Sequence, residues 1–200
     1  PVEKFDSGRP VSAFAHNLQA MDGKPAAWLD VKAEMGKHLR SGTSWTRPAE
    51  ASAIARQLLA WMNSDAGENL TFAVISFYKA QADLIKKQLG RHANDEKRLR
   101  VGTVDSFQGM EFDVVFLSMV RTLPQSWNPK TNDREKQART LFGHLCLYNR
   151  LNVSMSRQKK LLIVAGDSDL LQGDLATEFI PGMVDFFKLC QEEGKILQCR

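Results

Sequence analysis

Two hundred residues, 43% apolar and 25% charged, suit one globular domain with enough chain to bury a sizeable core. No apolar run approaches the roughly 20 residues that span a bilayer, and residues 1–7 lack the charged-then-apolar form of a signal peptide. The net charge of +4 permits binding to a polyanion without requiring it.

Residues 1–25 are irregular, and the first residue is not Met, so a piece of a longer protein is expected. The run 26–31 reads as a first strand and 36–47 as a polar, glycine-bearing loop. Residues 48–62 read as a helix, with Pro48 in its first turn and Ala51, Ile54, Leu58 and Trp61 recurring at helical spacing. After a turn-rich break at 63–69, the apolar run 71–76 reads as a buried strand and 79–89 as a helix with Ala82, Ile85 and Leu89 on one stripe. A charged connector, 91–98, leads to a strand at 101–104, a polar turn and a second strand at 114–117. Residues 122–146 form a long polar insertion, and connections of that length are usually functional or disordered. A helix at 148–157, a strand at 161–165 and a last helix at 179–193 complete the chain. Strands alternating with helices imply a mostly parallel α/β sheet.

Cys146, Cys190 and Cys199 are odd in number and widely spaced, which fits neither a disulfide framework nor a zinc knuckle. Reduced thiols in the cytoplasm are expected. The four histidines form no ligand-like cluster, and no metal site is expected.

The segment 102–121 carries the most chemistry. Between its two strands Thr103, Asp105, Ser106, Gln108 and Glu111 surround Gly109. Hydroxyls, an amide and a carboxylate in a turn beside strand ends suit phosphate and ribose contacts. Equally informative is what is missing. Gly23-Lys24, Gly36-Lys37 and Gly194-Lys195 are followed by neither Ser nor Thr, so no phosphate-cradling loop is present, and no Asp-Glu pair follows an apolar strand.

The segment 102–121 closely resembles motif V of superfamily 1 helicases, in the branch of the nonsense-mediated-decay helicase and its bacterial relatives. Leu151-Asn-Val-Ser-Met-Ser-Arg157 resembles that branch's motif VI, and Ser76-Phe77-Tyr78 with Gln81 resembles motif IV, with Phe77 in place of the usual proline. The stretch 42–51 resembles a further family segment, with Trp45 at its aromatic position and Arg47 replacing an asparagine. The likeness covers about residues 44–171. It implies a RecA-like domain lacking its own phosphate loop, the C-terminal half of a two-domain ATPase that moves along single-stranded DNA or RNA. ATP and Mg2+ would be bound mainly by an N-terminal RecA-like domain of the same protein, and the isolated fragment would be inactive.

The resemblance assigns roles residue by residue. Arg157 becomes the arginine finger; the alternative is a surface arginine favoured by a helix C-terminus. Glu111 and Gly109, with Arg47 and Trp45, fall on the nucleotide; Arg47 is either a second phosphate-sensing arginine or a loop charge. Ser76, Tyr78, Thr103, Ser106, Gln108 and Asn152 fall on the nucleic acid, although a lone aromatic such as Tyr78 is by default a core residue. Asp105, Gln81 and Arg121 would couple the motifs. Two rivals stand beside this reading: a non-catalytic RecA-like module that binds nucleic acid or protein, and a nuclease using Asp30, Lys32 and Glu34.

Overall fold

The computed structural model describes residues 11–199; residues 1–10, part of the irregular N-terminal segment, lie outside it. The strands are β1 (Ala26–Asp30), β2 (Leu39–Ser41), β3 (Ser44–Thr46), β4 (Phe72–Ser76), β5 (Leu99–Thr103), β6 (Phe112–Ser118), β7 (Gln158–Gly166) and β8 (Lys195–Gln198). The helices are α1 (Pro48–Met62), α2 (Lys79–Leu89), α3 (Arg134–Phe142), α4 (Tyr148–Met155), α5 (Asp174–Phe179) and α6 (Pro181–Glu192). Six strands form one sheet in the order β5-β4-β6-β7-β1-β8, with every pairing parallel. Central strands buried on both faces read as unbroken apolar runs, which is how β4 and the inner part of β6 read.

The two sheet faces bury separate cores. Phe72 and Val74 of β4, with Val114 and Phe116 of β6, pack under α1 and α2 against Ile54, Leu58, Trp61, Ala82 and Ile85. The alternate residues Ala73, Ile75, Val115 and Leu117 face the other way, against Phe107, Phe142, Leu151 and Met183. The result is a three-layer α/β/α sandwich, the RecA-like architecture expected.

Several local expectations need correction. The supposed loop 36–47 contains the β2–β3 hairpin, a three-residue ladder too short to show alternation. The insertion is not structureless: Asp133 caps α3 by accepting the Lys136 amide, and α3 buries Ala138, Leu141 and Phe142. The last helix is broken at Ile180, where Pro181 starts α6. Strand β8 was missed because its four residues are short and only half-buried; it gains its place by pairing with β1. The irregular N-terminal segment is nonetheless packed, with Leu18 and Met21 in the core and the Gln19 carbonyl accepting from the Trp61 indole.

One buried polar knot ties the hairpin, α1 and the end of β6 together. Arg47 and Glu50 are both 0% exposed and lie 3.3 Å apart. Arg47 also donates to the carbonyls of Val31, Lys32 and Gly36, so its fork is spent inside the fold. The Glu50 carboxylate accepts from the Ser118 hydroxyl and from the Val120 amide at 3.0 and 3.1 Å. Val120 has φ +70°, a conformation that a β-branched residue adopts only when its surroundings impose it. Gln81 completes the knot between the Arg47 amide and the Ser118 hydroxyl.

Burial pushes the Glu50 carboxyl up while Arg47 pulls it back. Removing one partner of such a pair strands the other in the interior, at a cost of about 3–5 kcal/mol. Glu50→Ala should therefore lower unfolding stability by about that amount in urea titration; an unchanged midpoint would show that the pair contributes nothing to the fold.

Candidate functional site

Because all six strands of the main sheet run the same way, it has an edge where strands start and one where they end. Chemistry-bearing residues gather at both. At the starting edge, Phe112 opens β6 and Gln158 opens β7, and the two are register partners. Glu111 and Arg157 immediately precede them. The Phe112 amide donates to the Arg157 carbonyl at 2.9 Å. The Arg157 guanidinium donates to the Val153 carbonyl, the Ser156 hydroxyl and, at 3.5 Å, the Met110 carbonyl. Its two terminal nitrogens remain solvent-exposed beside the turn that presents Glu111. Glu111 is itself exposed and makes no hydrogen bond or ion pair among the described residues. Gly109 in that turn has φ +72°, and a Cβ there would meet nothing within 4 Å. The glycine therefore serves the backbone conformation rather than a close approach within this chain.

At the opposite edge lie Thr103, the last residue of β5, and Ser106, just past it. The Ser106 hydroxyl donates to the Thr103 carbonyl at 2.6 Å, so toward a strand it presents only acceptor lone pairs. The Thr103 hydroxyl makes no hydrogen bond among the described residues. Asp105 pairs with Arg150 at 3.0 Å, which ties the crossing segment to α4. Gln108 and Asn152 are exposed.

A family profile described as an AAA domain matches residues 6–169. The chain is 34% identical to the "RNA helicase Mov10l1" of Mus musculus over 154 residues, 76% of this chain and 12% of that protein. It is 32% identical to the "Helicase required for RNAi-mediated heterochromatin assembly 1" of Schizosaccharomyces pombe, across 70% of this chain and 14% of that one. The chain thus spans only about an eighth of the length of these relatives. It belongs to this AAA-domain family, as a superfamily 1 helicase RecA-like domain.

Several residues that the helicase resemblance assigns to ligands are placed elsewhere. Arg47 is no exposed phosphate sensor: its guanidinium is wholly buried and engaged by Glu50 and three carbonyls. Tyr78 is 4% exposed, stacks on His144 at 4.9 Å and accepts the His144 amide, so it is a core residue and not a base platform. Ser76 is fully buried and its hydroxyl accepts the Tyr78 amide, so its side chain does not face a strand. Helix α4 ends at Met155, which leaves Arg157 in the turn before β7. Ser154 faces inward and donates to the Leu151 carbonyl, not toward a cleft. Trp45 stands at the strand-end edge, away from Glu111 and Arg157, with Arg121 over its ring at 4.8 Å.

The residues expected to couple motifs lie at three separate places, Asp105 against Arg150 as described above. Gln81 sits in the knot around Glu50. Arg121 is 6% exposed, donates to the carbonyls of Thr140 and Leu141, and so fastens the insertion helix to the end of β6. The nuclease trio is not assembled for metal. Asp30 accepts from the Ser168 amide and hydroxyl, Lys32 is held by Asp169, and Glu34 is exposed. Among the described residues no cluster of His, Cys, Asp and Glu suits a metal ion, and no helix is long and apolar enough to cross a membrane.

His38 was not singled out by sequence, since a single histidine in a polar stretch carries no pattern. Its Nδ1 accepts the Thr122 amide at 3.2 Å and pairs with the Thr122 hydroxyl at 2.9 Å, which leaves the ring proton on Nε2. Burial, with Arg121 and Arg47 nearby, pushes the imidazole down to about 4 from 6.5. The unfolded chain therefore takes up this proton first. Stability from His38 is intact above the unfolded value and is lost as pH falls toward the folded one. Between about pH 7.5 and about pH 5, the protein should lose of order 1 kcal/mol more than His38→Asn, allowing for solvent screening of a half-buried ring. Equal losses in paired urea titrations would rule this out.

Proposed function

We propose that this chain is the second motor domain of an ATP-dependent superfamily 1 helicase, acting on single-stranded nucleic acid. The observation that carries the reading is the Arg157 guanidinium, held at the surface by three acceptors beside an unpaired Glu111. A preorganised cation next to a free carboxylate suits one wall of a nucleotide cleft. Glu111 would accept the ribose hydroxyls, and Arg157 would neutralise charge building on the transferred phosphoryl group. Residues for the remaining phosphates and for Mg2+ are missing from this sequence, so they would come from a first RecA-like domain of the same protein. ATP would supply the driving free energy; this chain would orient the sugar and stabilise the developing charge.

Thr103 at the strand-end edge, with the exposed Gln108 and Asn152, would hold the nucleic acid through contacts to the backbone that read no sequence. Segment 104–111 joins that edge directly to Glu111. Closing on nucleotide and gripping the strand would thus be two ends of one element. The relatives named as helicases support this reading, and the half-buried Arg157 beside an exposed, unpaired Glu111 weighs against a non-catalytic module.

Arg157→Ala in the full-length protein should lower the ATPase kcat by about 10³–10⁵ while nucleotide affinity changes far less, the pattern of an interaction made in the transition state. Retained turnover in that variant would exclude the finger role.

A further inference from the structure

A hollow of about 540 Å³ runs along the free edge of the sheet between β5 and α2. At one end it is lined by Thr103 and Ser106, from the segment already placed on the strand. Along its length it is lined by Lys79, Lys86 and Arg100, all exposed. Asp83 and Glu96 also border it. No described carboxylate lies within ion-pair distance of any of the three cations. Arg100 is steadied by the ring of Phe107, 5.8 Å from its guanidinium carbon.

The contrast with the insertion is informative. There Arg134, Lys136 and Arg139 are each matched inside the fold by Glu178, Asp133 and Glu135. The insertion helix is therefore largely neutralised, whereas the edge groove keeps its positive charge available. The arrangement also follows from the elements. Lys79 and Lys86 are two turns apart on α2, and Arg100 points outward from β5 while Leu99 and Val101 point into the core. The cations thus form a row leading away from Thr103.

We propose that this groove is an extension of the nucleic-acid track, in which Lys79, Arg100 and Lys86 follow the phosphodiester backbone of a single strand beyond Thr103. The inference rests on the function proposed above and goes further, because it gives a binding role to Lys79, Lys86 and Arg100, which the motif resemblance left without one. The contacts are charge to phosphate and read no base, so they lengthen the footprint without adding sequence preference. The flat β5 edge, which would otherwise invite another strand, is at the same time blunted by its charges.

The test uses the full-length protein and a homopolymer single strand, with binding measured across a salt series. Lys79→Glu, Lys86→Glu and Arg100→Glu combined should weaken binding about tenfold or more at about 100 mM salt. The slope of log affinity against log salt should become shallower by about 2, from about 0.7 per lost phosphate contact on a single strand. Nucleotide affinity should stay unchanged, which shows that the variant is folded. Lys87→Glu with Lys97→Glu, two exposed cations that do not line the groove, should leave the slope as it was. If the wild type binds the strand but the triple variant keeps its slope, the groove is not a nucleic-acid track. Its cations then only guard the edge or receive an acidic peptide. If the wild type binds no strand at all, it is the helicase reading that fails.

Discussion

Two adjacent features of an all-parallel sheet govern the rest: β5 ends at one edge and β6 must begin at the other. The chain between them has only residues 104–111 in which to make that passage. It does so as a short 3-10 turn followed by a second turn at Gln108 and Gly109, anchored by Phe107, which is fully buried and packs edge-on against Phe112 at 5.8 Å. An ordinary βαβ unit would spend a whole helix on this crossing. Here the same few residues carry Thr103 at one end and Glu111 at the other. The sheet's direction therefore separates the two candidate binding edges, and the brevity of the crossover keeps them mechanically joined.

The knot around Arg47 and Glu50 supports the strand-end edge. A carboxylate that holds the strained Val120 amide also fixes where Arg121 and the insertion leave β6. Arg121 then reaches the carbonyls at the end of α3 and covers Trp45. Gly143, just past α3, must lack a side chain because a Cβ would lie 2.4 Å from the Tyr78 hydroxyl. These contacts form a continuous polar seam from the hairpin to the insertion. Its charges are nearly all spent on one another, which is why it makes a poor ligand site and a good scaffold.

The α/β class, the parallel order and the main helices and strands were legible because long apolar runs and helical stripes report burial directly. α1 and α2 fall at the expected boundaries for that reason. Glu111 and Arg157 were legible because their motifs are local in sequence, and register pairing of Phe112 with Gln158 brings them to one edge. What the sequence concealed was burial of polar residues. Nothing local distinguishes an arginine that senses phosphate from Arg47, whose guanidinium is engaged by carbonyls 11 to 16 positions earlier and by Glu50. Tyr78 and Ser76 misled in the same way: their side chains suit a nucleic acid chemically, but tertiary packing turns them inward. The hairpin, α3 and β8 escaped because each is short and gains its stability from neighbours rather than from its own periodicity.

In the proposed function, nucleotide would bind at the edge where β6 and β7 start and nucleic acid at the edge where β5 ends. Hydrogen exchange on the full-length protein tests this most directly, with a non-hydrolysable ATP analogue and a single-stranded oligonucleotide added separately. Nucleotide should slow exchange at residues 109–112 and 156–158, and the oligonucleotide should slow it at 102–106. Nucleotide protection confined to residues 44–48 and 120–122, with 109–112 unaffected, would contradict it.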